Sequence, residues 1–358
     1  MSQMNAGPWA GVGASAVPAV VQWCAAYLGR APLRWRPVAG DAGLRRYYRL
    51  AGPFTGDLAG FGGVIAMDAS AEGGQLARFV RLAQRFAEQG MLVPRVFAHT
   101  VRRGFALIED FGDDSLLGQL RPDTVQTLYG AAMDTLFHWQ SRLSGNGLPA
   151  YDQALLHREL ALFDAWLVRG YLALTPSSGD IGRWADISAR LIDSALAQPR
   201  VVVHRDYHSR NLMLLAASGD AGRRLGIIDF QDAVLGPVTY DPVSLLRDCY
   251  VAWPAAWVER WCEHYFRRLR AQGLLDAATP MACFRRWFDW MGMQRHLKAA
   301  GIFARLWLRD GRPGYLPEIP RTLRYVADVA ARYPECRAFE CQLRRRILPA
   351  LAAQAPPR

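Results

Sequence analysis

The sequence predicts an α+β fold: a small, mainly antiparallel β lobe over residues 1–111, then a large, mainly helical lobe over residues 112–358. Three observations predict it. At 358 residues the chain exceeds one ordinary domain and suits two. Its texture changes near residue 112, from short β-like runs broken by Gly and Pro to long stretches of helical periodicity. A single compact β-like block, residues 201–228, interrupts the helical half. A boundary between two such lobes is a common place for a ligand, so a cleft between them is expected.

The elements follow in order. Residues 10–27 are apolar but carry Gln22 and Trp23, and the first basic residue is Arg30. A secretory leader needs positive charge before its apolar run, so this stretch reads as a first amphipathic helix. Strands are expected at 33–38, 45–50, 63–67, 96–100 and 105–108. One helix, 74–89, interrupts them, with Leu76, Phe79, Val80, Ala83 and Phe86 at helical spacing and Gly90 and Pro94 as its stop. Residues 107–112 form the connector. Helices are then expected at 122–143, 152–169, 181–197, 243–251, 254–272, 280–308, 320–332 and 334–351.

Composition excludes several classes. Hydrophobic residues make up 51% and charged residues 21%, which fits a globular chain and not a disordered, collagenous or coiled-coil one. No apolar run reaches the roughly 20 residues of a membrane span. The net charge is +11, and Lys298 is the only lysine among 43 basic residues, so Arg supplies nearly every cation. The arginines are scattered and belong to no nucleic-acid motif, whereas an excess of positive charge suits an anionic substrate. Six cysteines form no C-x-x-C or zinc spacing and read as free thiols in a reducing cytoplasm. No membrane, nucleic-acid or obligatory protein partner is indicated.

Two motifs carry the chemistry. In residues 201–214 an apolar strand runs into His204-Arg205-Asp206, and a second apolar strand leaves after Asn211. This is H-R-D-x-x-x-x-N, the catalytic-loop pattern of protein kinases. A carboxylate at Asp206 can face an attacking hydroxyl while the amide oxygen of Asn211 reaches a metal on the phosphates. Eighteen residues after Asn211, an apolar strand ends in Asp229-Phe230-Gln231-Asp232, whose first carboxylate can bind Mg²⁺. Either motif alone is weak; in this order and at this separation they are specific.

Here the sequence resembles the aminoglycoside phosphotransferase and choline kinase group, the small-molecule branch of the protein-kinase-like fold. His208, two residues after Asp206, fits that group, as do Asp229-Phe230 and the G-P-x-x-Y-D segment ending at Asp241. Asp241 is expected to be a helix N-cap and loop anchor. The run from Asp41 to Arg49, with residues 204–213, 228–240 and 294–306, resembles more closely the bacterial anomeric kinases of N-acetylmuramate and N-acetylglucosamine in peptidoglycan recycling. The resemblance spans about residues 35–325. It implies an ATP- and Mg²⁺-dependent, cytoplasmic sugar kinase, with Asp206 as base and Asn211 and Asp229 as metal ligands. It also implies that the hinge residues Leu107, Ile108, Glu109, Asp110 and Phe111 hold the nucleobase.

One position departs from the kinase pattern. Where V-A-I-K would align with residues 64–67, Met67 replaces the phosphate-binding Lys. Arg45 and Arg46 are the candidates for its charge; Gly40 and Gly43 beside them are a weak phosphate-loop signal, and no partner is assigned to Glu72 or Glu88. For the acceptor, Gln294, Arg295 and Lys298 on one helix are candidates, with His208 and Asp232. Two other readings stay open: a kinase for an aminoglycoside or amino alcohol, and a catalytically inactive nucleotide-binding module.

Overall fold

The computed structural model describes residues 17–29, 34–38, 43–61, 63–72, 74–215 and 224–354. Residues 10–16 of the expected first helix, Leu33, and Gly40, Asp41 and Ala42 of the turn before the second strand lie outside the described residues, as do 216–223 of the β block. The chain divides into two compact units. One joins Met1–Ala131 to Arg210–Gln231; the other joins Ala132–Ser209 to Asp232–Arg358. The change of texture at residue 112 falls inside the first unit, and a short piece of the expected helical lobe groups with the sheet.

Among the described residues nine strands are formed: β1 (Trp35–Val38), β2 (Arg46–Leu50), β3 (Val64–Asp68), β4 (Val96–Thr100), β5 (Phe105–Glu109), β6 (Arg200–Val203), β7 (Leu212–Leu215), β8 (Arg224–Ile227) and β9 (Val234–Pro237). In the first unit β1 to β5 build an antiparallel sheet in the order β1-β2-β3-β5-β4. Central β3 is buried from Val64 to Met67, as an apolar run between two partners should be. Alternation sorts the side chains. Leu50, Val64, Ala66 and Leu107 pack on the Ala19–Tyr27 helix through Val20, Val21 and Cys24. Tyr47 and Arg49 point to the other face, in register with Met67 and Ile65. The Gln75–Glu88 helix buries Leu76, Phe79, Val80, Leu82, Ala83 and Phe86, the stripe its periodicity predicts. The β7–β8 hairpin completes this unit.

In the second unit β6 pairs with β9. The two strands flanking the catalytic-loop motif therefore do not pair with each other. The unit's helices include most of Val125–Arg142, then Gln153–Leu162, continuing as a π-helix over Phe163–Tyr171, then Ser178–Leu196, Tyr240–Leu246, Ala255–Ala271, Met281–Asp310 and Ile319–Ala330. The expected helix over 334–351 is broken into short 3-10, α and π segments. The Met281–Asp310 helix is the axis of the unit: every residue from 288 to 298 is buried. Gly301 lets it approach the Leu162 backbone, where any Cβ would overlap. Among the described residues no helix is long and apolar enough to cross a membrane.

Candidate active site

In the second unit the loop after β6 is held by its backbone. Asp241, fully buried, accepts hydrogen bonds from the N–H of His204 (2.7 Å) and of Arg205 (3.1 Å). Burial pushes the Asp241 carboxyl up to about 7, against these two bonds. Asp241 is thus the loop anchor expected of it; the N-cap position of its helix belongs to Thr239, which makes no side-chain cap. Asp248 accepts from the N–H (2.9 Å) and hydroxyl (2.5 Å) of Ser209. Tyr207 is buried and donates to the Ala132 carbonyl at 2.9 Å. Arg205 takes φ +78°, a left-handed conformation that costs energy in a non-glycine residue and turns the chain into Asp206.

Asp206 sits among cations. Burial raises its pKa, but Lys298, His208, Arg205 and Arg295 outweigh burial and hold the carboxyl at about 2. The His208 ring packs edge-on against Tyr250, and its backbone N–H donates to the Asp206 carbonyl at 3.0 Å. Asp232 meets this loop through its backbone: its carbonyl accepts from Arg205 Nη1 at 3.4 Å.

Beneath the loop lies a network centred on Glu159. Its carboxylate pairs with Arg205, with Lys298 at 3.1 Å and with the hydroxyl of Tyr151, and accepts from Gln294 Nε2 at 3.1 Å. Lys298 also donates to the Tyr240 hydroxyl at 2.9 Å. Burial raises Glu159, and Lys298 and Arg205 more than offset it, so its carboxyl lies below its ordinary range. Gln294 and Lys298 are therefore buried and committed to Glu159. Arg295 differs. It is 5% exposed, yet its only acceptor among the described residues is the sulfur of Cys249 at 3.6 Å. Its Nε is buried without a partner.

In the first unit, the β7–β8 register sets Asn211 against Ile228, whose N–H donates to the Asn211 carbonyl at 3.1 Å. Asp229 follows at φ +65°, a second non-glycine residue in the left-handed region. Its carboxylate accepts from Gln231 Nε2 (2.7 Å) and lies 3.5 Å from Asn211 Nδ2. Phe230 is fully buried, stacked on Phe79 at 5.3 Å and edge-on to Phe86. No cluster of three or more His, Cys, Asp or Glu suited to a metal occurs among the described residues. Mg²⁺ does not require one: it takes one or two protein oxygens and completes its octahedron with water and phosphate, so the Asp229 and Asn211 oxygens fit it.

Arg45 Nε donates to Glu72 at 2.7 Å, and Arg45 is 9% exposed. Arg46 is exposed at the start of β2. At the connector, Glu109 N–H donates to the Arg95 carbonyl and Asp110 N–H to that of Gly63. Arg49 clamps the carboxylates of Asp110 and Asp113, with bonds of 2.6 to 2.9 Å from its terminal nitrogens. Leu107 and Ile108 lie within β5, between two strands. The N–H of Phe111 is then the first in the connector with no acceptor among the described residues; its ring packs on Gly226.

Sequence reasoning missed Glu159 and Glu72. Glu159 carried a signal: it shares a helical stripe with Leu156, Leu160 and Phe163, and a carboxylate on an apolar face needs a partner. Glu72, in a 3-10 turn, carried none.

The antiparallel β sheet with its helices, the loop carrying Asp206 and the Asn211–Asp229 pair define a phosphotransferase of the protein-kinase-like fold. The chain belongs to the phosphotransferase enzyme family, whose model matches residues 34–275. It is 41% identical over 297 residues to the N-acetylmuramate/N-acetylglucosamine kinase of Pseudomonas putida, covering 83% of this chain and 84% of that one. It is 37% identical over 303 residues to the kinase of the same name from Neisseria meningitidis, covering 83% and 86%. Among solved structures the fold is similar to choline kinase LicA from Streptococcus pneumoniae, with TM-score 0.59, 11% identity, and coverage of 86% and 98%. It is also similar to ADP-bound aminoglycoside phosphotransferase APH(2'')-Ib, with TM-score 0.57, 12% identity, and coverage of 87% and 99%.

Proposed function

We propose that the protein is an ATP-dependent sugar kinase that phosphorylates the anomeric (C1) hydroxyl of N-acetylmuramate and N-acetylglucosamine in cell-wall recycling. The observation that carries the reading is Asp206: a carboxylate on a backbone-anchored loop, kept ionised by the surrounding cations, in a chain about 40% identical to kinases of that name. Asp206 orients the acceptor hydroxyl and receives its proton. A carboxyl held at about 2 is a weak base, so the transfer comes late, as the oxygen bonds to phosphorus. The bond from the γ-phosphorus to the bridging oxygen breaks, and ADP leaves. An anomeric hydroxyl is more acidic than an ordinary alcohol, which suits so weak a base.

Asn211 and Asp229 would hold Mg²⁺, which when bound neutralises charge on the nucleotide phosphates. Gln231 holds the Asp229 carboxylate in place. Arg45 and Arg46 offset phosphate charge from the second strand, and the Phe111 N–H takes the nucleobase while Leu107 to Asp110 shape its seat. His208 supports the loop. Arg295 takes the lactyl carboxylate of N-acetylmuramate, while Gln294 and Lys298 set the Glu159 network beneath it. Three cationic side chains around Asp206 disfavour a polycationic aminoglycoside as acceptor. The setting is the cytoplasm, where ATP is available and six free thiols persist.

A panel of sugars and amino alcohols in an ATP-consumption assay tests the reading. Consumption should follow the two N-acetyl sugars, and the product should lose its reducing-end reactivity. A product that still reduces after complete phosphorylation places the phosphate on another hydroxyl and overturns the anomeric assignment.

A further inference from the structure

Kinases of this fold ordinarily carry a lysine on the third strand, paired with a glutamate, to hold the nucleotide phosphates. Met67 occupies that place here and is fully buried. A phosphate site without a nearby cation is electrostatically unfavourable, so the charge must enter from elsewhere. The sheet register shows where. Tyr47 of β2 lies directly across from Met67, and Arg45, two residues before Tyr47, projects to the same side as alternation requires.

Arg45 is not a surface strand residue. Its side chain is buried, and Nε donates to the Glu72 carboxylate at 2.7 Å. Glu72 is itself largely buried, and Gly43 passes close enough that a Cβ there would lie 3.4 Å from Glu72 Oε1. The Arg45 guanidinium lies over the Phe79 ring at 5.6 Å, and Phe79 stacks on Phe230, the neighbour of Asp229. Tyr47 lies within the electrostatic reach of Arg45, Asp229 and Glu72. A guanidinium has five N–H donors. Glu72 takes the one on Nε, so the terminal donors remain for an anion.

We propose that Arg45 is the phosphate-binding cation that replaces the absent third-strand lysine, and that Glu72 is its positioning residue. The pair restores the lysine–glutamate arrangement with the cation moved to the neighbouring strand and the carboxylate moved to the turn before the Gln75–Glu88 helix. The proposal rests on the kinase reading for its ligand, the triphosphate of a nucleotide, but not on the identity of the acceptor.

The test is nucleotide affinity of the full chain, measured by calorimetry with ADP and with ATP, alongside the melting temperature. Arg45→Ala should weaken both by about tenfold or more, the size of a charge-assisted hydrogen bond, and Arg45→Lys should recover most of the loss. Arg81→Ala, which removes an exposed charge from the Gln75–Glu88 helix, should bind as wild type does. Glu72→Gln leaves the charge but frees it, so kcat should fall with little change in the sugar KM. Because Arg45→Ala strands a buried carboxylate, the neutral pair Arg45→Met with Glu72→Gln is the decisive variant. It should melt near wild type and still bind nucleotide weakly. Wild-type affinity in that double variant, or in Arg45→Ala, reduces the pair to a structural contact and overturns the proposal. If no sugar is phosphorylated but these affinities move as stated, the acceptor reading falls and this one stands.

Discussion

The sheet of the first unit and the network beneath the catalytic loop of the second handle buried charge differently. In the first, charge is paired in small groups: Arg45 with Glu72, Arg49 with Asp110 and Asp113, Asp229 with the amides of Gln231 and Asn211. In the second, one carboxylate, Glu159, serves Arg205, Lys298, Tyr151 and Gln294 together, while Arg295 beside it hydrogen-bonds no carboxylate among the described residues. Paired sites hold their geometry without a ligand. A shared hub with a cation left over is suited to taking up an anion, and it couples every group that touches it.

The sharpest break of this contrast is at Asp206, which the second unit's cations serve. Asp206→Asn keeps the shape and loses the charge, so kcat should fall by about 10² to 10⁴ while nucleotide affinity, measured by titration, stays near wild type. Unchanged turnover would remove Asp206 from the chemistry.

Next comes the hub. Glu159→Gln leaves Arg205 and Lys298 buried without their counter-charge, and the loss should be about 3 to 5 kcal/mol in denaturant unfolding. A loss under about 1 kcal/mol, the value of an exposed pair, would show that solvent reaches the network and that the hub is no hub.

Arg295→Ala should weaken use of N-acetylmuramate by roughly tenfold or more relative to N-acetylglucosamine, since a charge-assisted bond is worth about 1.5 to 3 kcal/mol. Parallel kcat/KM losses for both sugars would instead set Arg295 to work on Asp206 alone.

The smallest effect concerns Asp241. Its folded pKa, about 7, lies above its unfolded value, so the folded protein binds more protons between these values and wild-type stability falls as pH rises toward 7. Asp241→Asn lacks that proton. At pH 5 it should cost about 1 to 3 kcal/mol for the misplaced amide, and the deficit should narrow as pH approaches 7. A deficit constant with pH would mean that Asp241 does not titrate there.

Much of the first unit was legible. β2, β3 and β5 follow from short β-like runs, and the Gln75–Glu88 helix from its stripe, because both signals are local. The catalytic loop and Asp229 were legible for the same reason: their residues are held at fixed spacing between strands. The Arg45–Glu72 pair was not, since 27 residues separate partners that nothing local joins. Gln294, Arg295 and Lys298 read from sequence as one acceptor group because a helix carrying several polar residues reads as a polar face. The Met281–Asp310 helix is buried all round in that region, so periodicity could not separate the two residues that serve Glu159 from the one that does not.

The sequence by itself determined the phosphotransferase motifs and the strands and helices that carry them. Spacing along the chain specifies which groups can act together within a few residues, and periodicity specifies which face of an element is buried. Tertiary structure alone decided how the charges are shared. Which cation neutralises which carboxylate depends on distances in a medium of low dielectric, and those distances exist only once elements remote in sequence have packed.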